Sequence, residues 1–285
     1  MNPASRLREL LASNEIIVMP GCYDCMSARL IERAGFKAAF MSGFTVAASR
    51  IGMPDAGLIS YAEMLDQGSN ICSAVSIPVI GDGDTGYGNA LNVQRTVRGY
   101  ARAGFACVMI EDQVAPKRCG HTRGKQTVDR EEAFARVQAA VDTRDAGTDI
   151  LIMARTDANA TEGFQEALER ARIFTEIGVD ITFLEAPRDE QQMRAYCEGV
   201  PGPKMANMVE QGDTPVLSPK VLQDIGYKIA IYPISLMLAG IHAMEQALAS
   251  LAAGETPRDA AEFAHLRDLV GFPEYYEAEK RYAAD

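Results

Sequence analysis

The chain has 285 residues, 47% of them hydrophobic and 24% charged, enough to bury a large core in one barrel-sized domain or two smaller ones. Its 28 Lys and Arg stand against 39 Asp and Glu, a net charge of -11 with no basic run, which argues against a phosphate-neutralising nucleic-acid surface. An acidic protein that binds an acidic ligand must concentrate cations locally or hold a metal ion.

Residues 1–14 read as a charged amphipathic helix. Eight short apolar, β-leaning runs follow, at 16–21, 38–43, 78–84, 107–112, 150–156, 181–186, 204–208 and 229–233. Between them lie helix-like stretches such as 26–34, 92–103, 130–141, 164–177 and 219–225, several ending at a glycine (Gly35, Gly104, Gly178, Gly226) where a helix stop is expected. Eight βα units without a linker predict a single (β/α)8 TIM barrel spanning the chain, in preference to an open doubly wound sheet. From about residue 234 the chain continues as an apolar helix over 236–252 and an aromatic, charged tail over 260–282, longer than closure of a barrel needs and suited to subunit contact. No run of about 18 apolar residues predicts a membrane span. The six scattered cysteines fit a reducing, cytoplasmic setting, and the Cys22/Cys25 pair lacks the second pair that a metal or redox site would need.

The strand ends carry polar residues that a buried strand avoids: Ser42, Asp82 and Asp84, Glu111 and Asp112, Arg155 and Asp157, Glu185, Asn207. In a (β/α)8 barrel these ends form one mouth. Asp82 and Asp84, two residues apart, are expected to point to one side of the third strand beside the Glu111/Asp112 pair of the fourth. Buried carboxylates so grouped need a cation, and an all-oxygen set suits Mg2+ or Mn2+ better than Zn2+. Lys117, Arg118, Cys119, Gly120 and His121 follow as a loop. Its cations should make an electropositive surrounding in which a thiol can exchange protons with a carbanion. Taken alone, that pentapeptide is equally compatible with a structural thiol. The surrounding loop, 114–127, is rich in Gly, Lys and Arg and reads as a lid over the mouth.

The KRCGH loop resembles the signature of the isocitrate lyase and phosphoenolpyruvate mutase superfamily. The resemblance runs through GDGDTGYGNA (81–90), IEDQ (110–113), MARTDA (153–158), LEAP (184–187), ANM (206–208) and YPIS (232–235), almost the whole chain. It implies a barrel whose eighth helix is exchanged between subunits, in a homotetramer. It implies Mg2+ at Asp84, with Asp55, Asp82 and Glu111 holding its waters. It implies that Ser42, Gly43 and Arg155 contact the keto-acid half of a di- or tricarboxylate, that Asn207, Gly120 and His121 bind the other carboxylate, and that Glu185 orients the site. Cys119, flanked by Lys117, becomes the proton donor to the carbanion, whereas the phosphonate-cleaving branches generally replace this cysteine loop.

Phe40 stands where the nearest lyases place a tyrosine often proposed as base, and Phe44 would fill space beside the keto-acid site. These departures resemble the 2,3-dimethylmalate lyase and petal-death-protein branch, which implies release of pyruvate and propionate from a 2-alkylmalate. Methylisocitrate lyase is the first alternative. Oxaloacetate hydrolase is another, although Pro233 stands where that activity favours serine, and a phosphorus–carbon bond enzyme is a further one. His242 and His265 lie on expected helices away from the mouth.

Overall fold

The computed structural model describes residues 2–120 and 124–283. The chain forms two compact units, one up to Ser235 and one from Leu236 onward. The first contains eight strands: β1 (Ile17–Cys22), β2 (Ala39–Met41), β3 (Val79–Asp82), β4 (Cys107–Glu111), β5 (Leu151–Thr156), β6 (Ile181–Leu184), β7 (Met205–Asn207) and β8 (Ile229–Tyr232). All eight fall on the predicted runs, β1 extending one residue beyond its own.

Every strand pair is parallel, in the order β6-β5-β4-β3-β2-β1-β8-β7, with Ile17 opposite Ile229 and Glu111 opposite Arg155. A single parallel bridge from Thr182 to Lys204 joins β6 to β7 and closes the ring. The result is the expected (β/α)8 barrel. The runs read as nearly unbroken apolar segments because helices cover the outside, so most strand residues are buried on both faces.

Alternate residues fill the interior. Met19, Phe40, Ile80, Met109, Met153, Phe183, Met205 and Ile231 belong to one buried cluster with Ile17, Cys107, Leu151, Ile181 and Ile229 from two positions earlier. Each such side chain, fully buried, contributes about 1.5–3 kcal/mol. The N-terminal helix Pro3–Ala12 begins at Pro3 behind the Asn2 cap and adds Ala4 and Leu7 to this cluster, with Leu10 and Leu11 packed against it. The barrel is thereby plugged at the strands' N-terminal ends. At the other end the same two-residue period brings Gly21, Ser42, Asp82, Glu111, Arg155, Glu185, Asn207 and Pro233 inward as the next layer.

In the second unit, helix Phe263–Leu269 is followed by helix Phe272–Tyr282, with Arg267 5.5 Å from the centre of the Phe272 ring and donating to Tyr276 Oη at 3.1 Å. The apolar helix Ser235–Ala252 has no buried residue. Among the described residues no helix is long and apolar enough to cross a membrane.

The β1/β8 seam leaves no room for a side chain at Gly21, where a Cβ would lie 2.2 Å from the Pro233 carbonyl oxygen. Gly21→Ala is expected to lower stability by about 1–3 kcal/mol through overpacking. An unfolding midpoint in urea equal to that of the parent chain would contradict this close approach.

Candidate active site

On one side of the mouth the carboxylates of Asp55, Asp82, Asp84 and Glu111 are all buried. Asp82 closes β3, and its Oδ2 accepts from Gly43 N–H at 3.1 Å while its Oδ1 accepts from Asp84 N–H at 3.0 Å. Asp84 lies beyond the strand with φ 47°, so a left-handed turn positions it and not the strand period expected from sequence. Asp82 and Asp84 nevertheless converge on Gly43, where a Cβ would meet Asp82 Oδ2 at 2.7 Å and Asp84 Oδ1 at 3.5 Å. Gly43 is required there by contact, not by backbone conformation.

Lys117 enters from the loop after β4, its Nζ 2.7 Å from Asp55 Oδ2 and 2.9 Å from Asp84 Oδ1. Its charge is therefore engaged by the carboxylates. Burial alone would lower its pKa, but Asp84, Asp82, Asp55 and Glu111 outweigh that and raise it well above the ordinary lysine value. One ammonium does not balance four carboxylates. Burial pushes Asp84 up to about 7, an effect that Lys117 opposes and that Asp82 and Asp55 reinforce. Burial likewise raises Glu111 well above the usual range, against the pull of Arg155 and Lys117.

Among the described residues, Asp55 Oδ1, Asp84 Oδ1 and Glu111 Oε1 are buried without a hydrogen-bond partner, and Asp84 Oδ1 has the Lys117 ion pair. Orphaned carboxylate oxygens of this kind fit a hard divalent cation. Among the described residues no three acidic, His or Cys side chains close around one point. The donor set thus fits an ion that keeps several of its waters, as Mg2+ does.

Arg155 continues the layer on β5. Its Nε and Nη2 donate to Asp157 at 2.8 and 3.0 Å, its Nη1 lies 3.2 Å from Glu185 Oε2, and its Nε is 3.4 Å from Glu111 Oε2. The bidentate pair fixes the plane of the guanidinium. Asp112, grouped with Glu111 on sequence grounds, faces away from the mouth because consecutive strand-end residues alternate. It accepts from Asp157 N–H at 2.9 Å, Thr156 Oγ1 at 2.7 Å and Arg170 Nη1 at 3.0 Å, supporting the arm that holds Arg155. Burial raises Asp112 to about 6, with Asp157 adding to the shift and Arg170 opposing it.

Glu185 Oε1 accepts from Ala186 N–H at 2.9 Å, and Asn207 Nδ2 lies 3.3 Å from Glu185 Oε2. Gly120 packs directly over this pair, since a Cβ there would sit 2.5 Å from Arg155 Nη2 and 2.6 Å from Glu185 Oε2. Lys125 donates to the Gly120 carbonyl and sits 3.6 Å from Asp157 Oδ1, tying the thiol loop to the Arg155 support. At its ends this loop is held by a bridge between Gln113 and Thr127 and by Val114 N–H donating to Gln126 O at 2.8 Å. His121 lies outside the described residues.

These groups border a cavity of about 260 Å3 lined by Ser42, Phe44, Asp55, Asp82, Lys117, Cys119, Gly120, Arg155, Glu185, Asn207 and Pro233. All are residues expected from sequence at the site. Asp84, Glu111 and Gly43 reach the layer through the contacts above without lining this cavity. Sequence reasoning missed Lys125 and the apolar lining from Phe183, Met205, Val209, Ile231 and Ile234. The two-residue period beyond β7 points to Val209, whereas nothing in the sequence singles out Lys125.

A family model described as phosphoenolpyruvate phosphomutase matches residues 7–252. The chain is 44% identical to 2,3-dimethylmalate lyase of Eubacterium barkeri over 99% of each chain. It is 42% identical to 2-methylisocitrate lyase of Aeropyrum pernix over 96% of this chain and 89% of that one. Among solved structures, oxaloacetate acetylhydrolase in complex with 3,3-difluorooxalacetate superposes with TM-score 0.95 at 34% identity, covering 100% of this chain and 98% of that one. Phosphonopyruvate hydrolase in complex with oxalate and Mg2+ superposes with TM-score 0.88 at 28% identity, covering 99% of both.

The Asp84 shift has a definite sign. Below the ordinary carboxylate pKa of about 3.9 the proton is held in both folded and unfolded chains, and its stabilising contribution is complete. That contribution is lost as pH rises through the folded value of about 7. In EDTA, the unfolding midpoint should fall between pH 5 and 8, and Asp84→Asn should flatten the fall; identical slopes would show that Asp84 does not hold this proton.

Proposed function

We propose that this chain, which belongs to the phosphoenolpyruvate phosphomutase and isocitrate lyase superfamily and is a lyase of it, cleaves the C2–C3 bond of a 2-alkylmalate such as 2,3-dimethylmalate to an α-keto acid and a carboxylate. The observation that carries this reading is the presence, around one cavity, of a thiol, a rigidly held guanidinium and a buried carboxylate cluster with orphaned oxygens. The 44% identity to a 2,3-dimethylmalate lyase supports the choice of substrate.

Asp84, Asp82, Asp55 and Glu111 would hold Mg2+, or Mn2+ in its place. Bound there, the ion supplies the positive charge that the acidic mouth needs to take a dianion and favour loss of its hydroxyl proton. As the C2 hydroxyl loses its proton, the C2–C3 electron pair passes to C3 and C2 becomes the keto carbon of pyruvate. Ser42 and Gly43 orient the keto-acid half. The other half leaves as a carbanion conjugated with its own carboxylate, and Arg155, Asn207 and the Gly120 backbone stabilise that charge. Glu185 keeps Arg155 and Asn207 in place, 3.2 and 3.3 Å from its Oε2. The Cys119 thiol then delivers its proton to C3, giving propionate, and the thiolate recovers from solvent water a proton equivalent to the one the C2 hydroxyl released to it. His121 would complete the carboxylate site and Lys117 would help hold the acidic cluster.

Oxaloacetate hydrolysis is a second reading, favoured by the structural likeness to oxaloacetate acetylhydrolase. The apolar, unburied helix Ser235–Ala252 supports assembly of several copies, a homotetramer by family resemblance.

Incubation with Mg2+ and, separately, 2,3-dimethylmalate, methylisocitrate, isocitrate, oxaloacetate and phosphonopyruvate should release keto acid fastest from dimethylmalate and stop on addition of EDTA. Phosphate from phosphonopyruvate alone, or turnover indifferent to chelation, would overturn the reading. Cys119→Ser should reduce kcat by about 10²-fold or more while product binding persists. Near-normal turnover would remove Cys119 as proton donor.

A further inference from the structure

The mouth is divided electrically around the ring. In the order β3, β4, β5, β6, the inward strand-end residues are Asp82, Glu111, Arg155 and Glu185, and all are charged. On the remaining four consecutive strands, β7, β8, β1 and β2, they are Asn207, Pro233, Gly21 and Ser42, and none is charged. Immediately beyond those uncharged ends, Val209, Ile234 and Phe44 line the same cavity as Arg155 and Lys117. Among the described residues, Lys117 and Arg155 are the two cations of that lining, and each already faces at least two carboxylates. A further substrate carboxylate turned toward Phe44, Val209 and Ile234 would lose its hydration against apolar side chains, with no third cation among the described lining residues to pair with it. An alkyl group turned the same way gains by burial.

We infer that Phe44, Val209 and Ile234 form a selecting surface for apolar substituents, so that the site prefers malates alkylated at the reacting carbons and rejects a third carboxylate. This rests on the lyase reading above and deepens it. Discrimination comes from two sets of groups acting on one ligand: the carboxylate cluster with the cation it would hold, Arg155, and the polar strand ends Ser42 and Asn207 take the two carboxylates, and Phe44, Val209 and Ile234 just beyond those ends test what remains. Each methylene packed on that surface is worth about fourfold in binding or in kcat/KM.

The test separates binding from cleavage. In the Mg2+-loaded full chain, calorimetry compares two inert ligands, 2,3-dimethylsuccinate and propane-1,2,3-tricarboxylate, while kcat/KM is compared for 2,3-dimethylmalate and methylisocitrate. The parent chain should bind dimethylsuccinate at least tenfold more tightly and show the matching preference in turnover. Val209→Ala should weaken dimethylsuccinate binding by about tenfold, the loss falling more on KM than on kcat. Ile234→Lys should narrow or invert the ligand ratio, and Val209→Ala remains informative if that lysine prevents folding. Equal binding of the two ligands by the parent chain, or an unchanged ratio in folded variants, would overturn the selecting surface even with cleavage intact. A preserved ligand ratio with no malate cleaved would support the surface and count instead against the lyase reading.

Discussion

The structure turns on an excess of buried negative charge at the C-terminal ends of the strands. Four carboxylates face the Lys117 ammonium, with Arg155 3.4 Å from Glu111, and among the described residues three of their oxygens find no hydrogen-bond partner. Such a cluster opposes folding unless protons or a cation offset it. The raised Asp84 and Glu111 values express that cost through protons. A divalent cation would relieve it at neutral pH, so the feature that makes the mouth unfavourable on its own would also recruit the proposed ion.

Neighbouring parts of the fold are arranged around this constraint. Below the mouth, the methionine- and phenylalanine-rich interior layer and the N-terminal helix close the barrel, leaving the strands' C-terminal ends as its open side. Beside it, Asp157 and Asp112 hold Arg155 through two successive sets of hydrogen bonds, so the guanidinium is set before a substrate arrives. Such an arrangement lowers the reorganisation needed when charge develops in the reaction. The close contacts at Gly43 and Gly120 have the same basis: a methyl group at either position would displace a carboxylate or the guanidinium.

Much of this was legible in the sequence because the barrel reads the two-residue period twice. Phe40 and Ser42, Met109 and Glu111, Met153 and Arg155 are pairs in which one face carries first the core and then the site. Where the backbone leaves that period, the pattern fails. Asp84 depends on a left-handed turn, and Asp112 was grouped with Glu111 although alternation sends it to Arg170. Lys125 was invisible because its partners, the Gly120 carbonyl and Asp157, are brought to it only by the folded loop. In the apolar half of the mouth Phe44 was anticipated, but Val209 and Ile234 were missed for another reason: hydrophobic residues after a strand look like ordinary core until the ring order shows what faces them.

On the proposed reading, this mouth breaks a carbon–carbon bond and returns the electron pair to a carbon protonated by an exchangeable acid of the protein. Reaction of 2,3-dimethylmalate with the Mg2+-loaded chain in D2O, followed by NMR, tests it directly. Equal amounts of pyruvate and propionate are expected, with one deuterium at C2 of the propionate. Absence of keto acid, or propionate formed without solvent deuterium, would contradict it.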